Sequence, residues 1–162
     1  MSLHSLKQQQ TLNISLDEAW NFFSSPINLN IITPPYMKFK VLSDFSSEDK
    51  IYPGMLINYT VSPLFNLPLN WTTEITAVQD HHYFIDEQRF GPFAFWQHQH
   101  FFEEINGSVL IKDAVHYRIP FGFIGDVVNE ITVKKKVESI FNFRRKKLAE
   151  LYPSALTKEF IY

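Results

Sequence analysis

The sequence predicts an α+β fold: a seven-stranded antiparallel sheet with two short helices after its first strand and one long helix at the C-terminus. Three observations carry this. From Met37 to Tyr117 every local signal is strand or turn. An Asn106–Gly107 pair stands between two alternating runs, the strongest short-range hairpin signal. After Gly125 the apolar period becomes helical and stays so to Pro153. The chain of 162 residues has no repeat, low-complexity tract or linker, and residues 1–162 read as a single domain.

The elements follow in order. LHSLKQQQTLNI alternates and reads as a strand. SLDEAWNFFSS is a helix opened by a Ser15 cap, with Asp17 and Glu18 where the macrodipole favours negative charge. Pro26 starts a second short helix, INLNII, which Pro34–Pro35 ends as a rigid corner. Six further strands lie in MKFKVL, MLINYTVSP, NLPLNWTTEITAV, HHYFIDEQRF, FAFWQHQHFFEEI and SVLIKDAVHYRI, so closely spaced that they imply an antiparallel meander. Val127, Val128, Ile131, Val137, Ile140, Phe141, Phe143, Leu148 and Leu151 then recur at threes and fours. Lys134–Lys136 and Arg144–Lys147 are assigned to the wet face of that helix and its favourable cationic end. Roughly 27 residues at about 1.5 Å each give a helix near 40 Å long, enough to cross a curved sheet. Its apolar stripe must bury against the sheet, and a cavity would lie between them.

The hairpin orients the histidines of WQHQHFF. Counting back from a two-residue turn, Ile105 faces Ser108, Phe102 faces Ile111, His100 faces Asp113, His98 faces Val115 and Trp96 faces Tyr117. Side chains alternate, so Trp96, His98, His100, Phe102, Ile111, Asp113, Val115 and Tyr117 share one face. That face is apolar except for two His and one Asp, and should point inward. His116 falls on the outer face. An inward carboxylate opposite an inward imidazole needs that partner to be tolerated.

Composition removes several function classes. A net charge of −2 leaves no basic footprint for nucleic acid. The absence of Cys excludes disulfide scaffolds, thiol nucleophiles and Cys-ligated zinc. MSLHSLKQQQ has no apolar h-region and no apolar run reaches about 18 residues, so a cytoplasmic protein without stable membrane insertion is expected. Aromatics at 16%, with sixteen Phe, point to very large packed side chains or to an aromatic-lined pocket.

The run FIDEQRFGPFAFWQHQHFFEEINGSVLIKDAVHYRIPFGFIG carries the series Phe-x-Asp, Gly-Pro-Phe, Trp-x-His-x-His-x-Phe, Asp-x-Val-x-Tyr and Pro-x-Gly. With NLNIITPP and NWTTEI upstream and IFNFRRKKL downstream, it resembles the SRPBCC ligand-binding proteins of the START/Bet v 1-like superfamily, of the polyketide cyclase/dehydrase type. The resemblance implies a helix-grip fold: a seven-stranded antiparallel sheet around a long C-terminal helix, with a hydrophobic cavity between. That superfamily holds lipid and sterol carriers, hormone receptors, polyketide cyclases, quinone-binding proteins and hydrolytic variants, so fold does not transfer chemistry.

The preferred reading is a binding protein for a small hydrophobic molecule, lipid-, polyketide- or quinone-like, as a monomer or weak homodimer. Trp71, Phe84, Trp96, Phe102 and Tyr117 would form cavity walls, while His98, His100, Asp113 and Asp86 would orient a polar ligand end. Trp71 is placed inward because Thr73, Ile75 and Ala77 share its parity; HHYFIDEQ does not say which of its sides is in. The alternative is an acid–base enzyme of the cyclase or dehydratase type, with His100 and Asp113 as catalytic pair. No Ser shares their face, no GxSxG is present, and no nucleophile stands beside them. His-x-His on a strand is a real ligand spacing, and Asp113 or Glu104 could complete a set. The stretch echoes a first cupin motif but lacks the second, and no metal or other cofactor is expected. A protein-interaction role has no patch to mark it, and His4, His81 and His82 read as solvated.

Overall fold

The computed structural model of the chain describes residues 2–62, 67–120 and 132–153. Seven antiparallel strands form one sheet in the order β1-β7-β6-β5-β4-β3-β2. They are β1 (His4–Leu12), β2 (Lys40–Val41), β3 (Leu56–Val61), β4 (Leu69–Gln79), β5 (Tyr83–Phe90), β6 (Phe95–Ile105) and β7 (Ser108–Arg118). From β2 to β7 every sheet neighbour is a sequence neighbour, as a meander requires, and β1 lies beside β7 at the far edge. Helix α1 (Leu16–Phe23) follows β1, and helix α2 (Lys134–Leu151) comes last.

Local chemistry explains the early elements. Ser15 Oγ accepts the Glu18 N–H at 3.1 Å, which caps α1 as the sequence predicts. The helix buries Ala19, Trp20 and Phe23. The second short helix is a 3₁₀ turn, Pro26–Asn30, because five residues close i→i+3 bonds (Asn28 N to Ser25 O, 3.1 Å) without room for an α-helical ladder. Pro34–Pro35 does more than end it. Pro35 opens another 3₁₀ turn, Pro35–Met37, stopped by Lys38 in the left-handed region at φ 46°. That turn consumes the start of MKFKVL, so only Lys40 and Val41 pair with β3.

The Asn106–Gly107 turn has φ of 52° and 78°, the two positive values a type I′ hairpin needs. Its register is the one counted from the sequence, with Ile105 opposite Ser108, His100 opposite Asp113 and Trp96 opposite Tyr117. The β4–β5 pair is less regular. Trp71, Thr73 and Ile75 are buried as their parity predicts, but a register shift between Ile75 and Ala77 reverses the alternation. Ala77 therefore pairs with outward Ile85, and Val78 with buried Phe84.

Helix α2 spans 18 residues. The helical residues expected at Val127, Val128 and Ile131 lie outside the described part of the chain. Val137, Phe141, Arg144 and Leu148 form the buried stripe of α2. This corrects one assignment: Arg144 does not join Lys147 on a wet face, because steps of four, three and four place it between Phe141 and Leu148. Below α1, Trp20 meets Phe102 edge-on at 5.5 Å and Phe84 at 6.2 Å. Such pairs add about 0.5–1.5 kcal/mol each beyond area burial. Among the described residues no helix is long and apolar enough to cross a membrane.

Candidate functional site

Between the inner face of the sheet and α2 lies a cavity of about 510 Å³. Trp71, Phe84, Phe93 and Trp96 supply its sheet-side wall, and Val137 and Phe141 of α2 face them. The aromatic wall is interlocked. Trp71 meets Trp96 at 5.4 Å and 89°, and Phe93 at 5.5 Å and 62°. The polar handles are satisfied: the Trp71 indole N–H donates to Thr73 Oγ1 at 3.1 Å, and Tyr59 Oη bonds the same hydroxyl at 2.9 Å. Burial pushes the Tyr59 hydroxyl far above its ordinary value, so it stays protonated.

The polar end of the cavity is built by three strands and the helix. His98 and His100 point inward from β6, Asp86 from β5, Asp113 from β7 and Arg144 from α2. His98 Nε2 donates to Asp113 Oδ1 at 2.7 Å, and His100 Nε2 to Asp86 Oδ2 at 3.0 Å. His100 Nδ1 is 3.1 Å from Asp113 Oδ1, close enough for an ion pair but bent away from hydrogen-bond geometry. The two imidazoles sit with ring centroids 3.6 Å apart, and Phe84 stacks on His100 at 4.0 Å.

This arrangement divides the two rings electrostatically. Burial, together with repulsion from His100, pushes His98 down to about 4 against the pull of Asp113 and Asp86. Burial also opposes charge on His100, but its contacts with Asp113 and Asp86 outweigh that and raise it above 6.5. Asp113 is held well below the usual carboxylate range: burial works against this, and contacts with His100 and His98 overcome it. The pair is coupled, and the cluster stores its extra proton on His100. His98 stays neutral, its Nε2–H fixed by Asp113. Its Nδ1 lies 3.8 Å from Asp86 Oδ2, beyond hydrogen-bond reach, so that lone pair stays available.

Of the residues the sequence singles out, Trp71, Phe84, Asp86, Trp96, His98 and His100 line the cavity. Phe102, Asp113 and Tyr117 are buried but fall outside the lining. Phe102 is covered by Trp20 and Phe23 of α1, Tyr117 packs on Phe93 and Trp96, and Asp113 stands behind His98. Glu104, considered as a fourth ligand, is exposed near the hairpin tip. Asp86, His98 and His100 each offer one ligand atom within 4.8 Å of the others, a donor set a divalent transition metal accepts. Sequence reasoning missed Arg144, whose signal was its spacing from Phe141 and Leu148, and Phe93, which the Gly-Pro-Phe turn brings over the cavity.

Known structures share this architecture. The Zhui aromatase/cyclase from Streptomyces sp. R1128 superposes with a TM-score of 0.72 at 11% identity, covering 93% of each chain. A START superfamily protein from Mycobacterium smegmatis gives 0.64 at 11% identity, over 91% of this chain and 99% of that one. Ginseng major latex-like protein 151 from Panax ginseng gives 0.63 at 9% identity, over 94% and 99%. The chain has the START/Bet v 1-like fold. No model of a known protein family matches the sequence. A search of curated proteins finds no match either. At these identities the likeness establishes the helix-grip architecture and leaves the chemistry to the residues of the site.

Proposed function

We propose that this START/Bet v 1-like protein binds a small hydrophobic molecule, lipid-, polyketide- or quinone-like, between sheet and C-terminal helix, as a cytoplasmic carrier or receptor. One observation carries the reading: an aromatic cavity of about 510 Å³ ends in a buried cluster of His98, His100, Asp86 and Arg144. Apolar walls with a few convergent polar groups are the usual form of a small-molecule site. The solved structures of similar fold include an aromatase/cyclase and a START superfamily protein, which agrees with an organic ligand.

The test is a fluorescence titration with N-phenyl-1-naphthylamine, which brightens on entering an apolar site. Wild type should bind it at micromolar concentration. Val137→Phe, which narrows the cavity from α2, should bind at least tenfold more weakly while remaining folded. Equal affinity in both proteins would place the dye elsewhere and remove the reading.

A second reading, acid–base catalysis, draws on the His98–Asp113 contact of 2.7 Å. A neutral imidazole oriented by a buried carboxylate, with a free Nδ1 beside the cavity, has the form of a general base. On this reading His98 abstracts the proton and Asp113 orients it, with His100 and Asp86 holding the neighbouring positive charge. Exchange of the α-protons of 2-acetonaphthone in D₂O, followed by proton NMR, tests it. The exchange should be accelerated by wild type and lost in His98→Gln; no acceleration over buffer removes the catalytic reading and leaves binding intact.

A further inference from the structure

Arg144 is 8% exposed and lines the cavity from the buried stripe of α2. Its Nε and Nη1 are buried and make no hydrogen bond among the described residues. The nearest carboxylate oxygen, Asp113 Oδ1, is 3.7 Å from Nη1, an ion-pair distance too long for a hydrogen bond. The guanidinium carbon lies 5.0 Å from the Phe141 ring centroid, so one side of the group rests on an aromatic face. A buried guanidinium with unused donors is costly unless something accepts from it. Each histidine at the polar end already holds one carboxylate through its Nε2, His98 with Asp113 and His100 with Asp86.

Charge decides what the acceptor should be. Asp86 and Asp113 bring two negative charges, and Arg144 brings the one permanent positive charge. In either form of His100 the cluster without a ligand has no surplus positive charge. A carboxylate head would add a third negative charge beside Asp86 and Asp113, in a site walled by Phe84, Trp96 and Phe141. Lys136, the other cation on the lining, has its Nζ 3.9 Å from the centre of the Tyr36 ring. A ketone, quinone or ester oxygen accepts from Arg144 and adds no charge.

We propose that Arg144 is the ligand-anchoring residue of the cavity and selects molecules whose buried head is an uncharged carbonyl, against carboxylates. This rests on the binding reading above and narrows its ligand class. Of the three ligand classes, quinones, polyketides and neutral lipids share this carbonyl chemistry; free fatty acids do not.

Three naphthalenes of nearly equal size separate the possibilities: 2-ethylnaphthalene, 2-acetonaphthone and 2-naphthoate. Each is titrated into the full chain at pH 7, with binding read from quenching of tryptophan fluorescence, since Trp71 and Trp96 line the cavity. The ketone should bind at least fivefold tighter than the hydrocarbon and at least tenfold tighter than the carboxylate. In Arg144→Met the ketone should lose its advantage over the hydrocarbon. A carboxylate that binds as tightly as the ketone, or a ketone preference that survives in Arg144→Met, would overturn the proposal. If Arg144→Met does not fold, the wild-type order alone decides it: hydrocarbon bound as well as ketone refutes the anchor. If none of the three binds, and N-phenyl-1-naphthylamine does not either, the cavity reading itself falls, and this proposal with it.

Discussion

Asp113 and His98 are joined by a 2.7 Å hydrogen bond that runs diagonally across the β6–β7 ladder. The residue opposite Asp113 in the register is His100, one pleat along. One carboxylate therefore touches both imidazoles, while Asp86 holds His100 from the other side. The consequence is a division between two chemically identical side chains, His98 held toward the neutral form and His100 toward the charged one.

That division is visible by NMR. The His98 ring should titrate near pH 4 and the His100 ring above 6.5. In Asp113→Asn the His100 midpoint should fall, because one of its two carboxylates is gone. An unchanged His100 titration in that variant would mean that the cross-strand contact has no electrostatic weight.

Stability should fall on both sides of neutrality. His98 has a folded value below its unfolded one, so its contribution is complete above 6.5 and is lost as pH falls through about 4. The gap amounts to on the order of 3 kcal/mol. His100 has the opposite sign: its contribution is complete below 6.5 and is lost as pH rises through its raised value. Denaturant unfolding at a series of pH values checks this. His98→Gln should flatten the profile between pH 6.5 and 4, and Asp86→Asn should flatten the alkaline side.

Phe93 is held over the cavity by the Gln88 amide, which donates to its carbonyl at 2.7 Å and accepts its N–H at 3.2 Å. A Cβ at Gly91 would run into that pinned amide. Gly91→Ala should therefore cost about 1–3 kcal/mol, the loss of two partly buried hydrogen bonds. Adding it to Gln88→Ala should cost little more, because both remove the same tie. Additive losses in thermal unfolding would separate the glycine from the glutamine.

Chelation should leave ligand binding unchanged. The Nε2 atoms of His98 and His100 are already hydrogen-bonded to Asp113 and Asp86, and Arg144 already supplies positive charge beside the two carboxylates. Dye affinity should be the same in EDTA as in equimolar Zn²⁺. A tenfold difference between the two conditions would turn Asp86, His98 and His100 into a metal centre.

How much of this is legible in the sequence depends on which rule each residue obeys. The β6–β7 hairpin is fully readable, because Asn106–Gly107 fixes the turn and strict alternation then places Trp96, His98 and His100 inward. The pairing of His98 with Asp113 is not, since a diagonal contact depends on rotamers rather than register. Ala77 is misplaced because a bulge at the β4–β5 pair leaves no signal in composition. Arg144 is hidden by its own type: in a basic run it reads as solvated, and only its spacing from Phe141 and Leu148 marks it as buried. Phe102 and Tyr117 share the inward face with the histidines, but inward means core wherever α1 or another ring covers the sheet.

The central claim is that the space between sheet and α2 holds the ligand. A crystal structure grown with 6-bromo-2-acetonaphthone tests it most directly, through the anomalous signal of bromine. One strong peak is expected between the Trp71–Trp96 wall and α2, with the ketone oxygen within hydrogen-bond distance of Arg144. Bromine found only on the outer surface, with the cavity unchanged, would contradict it.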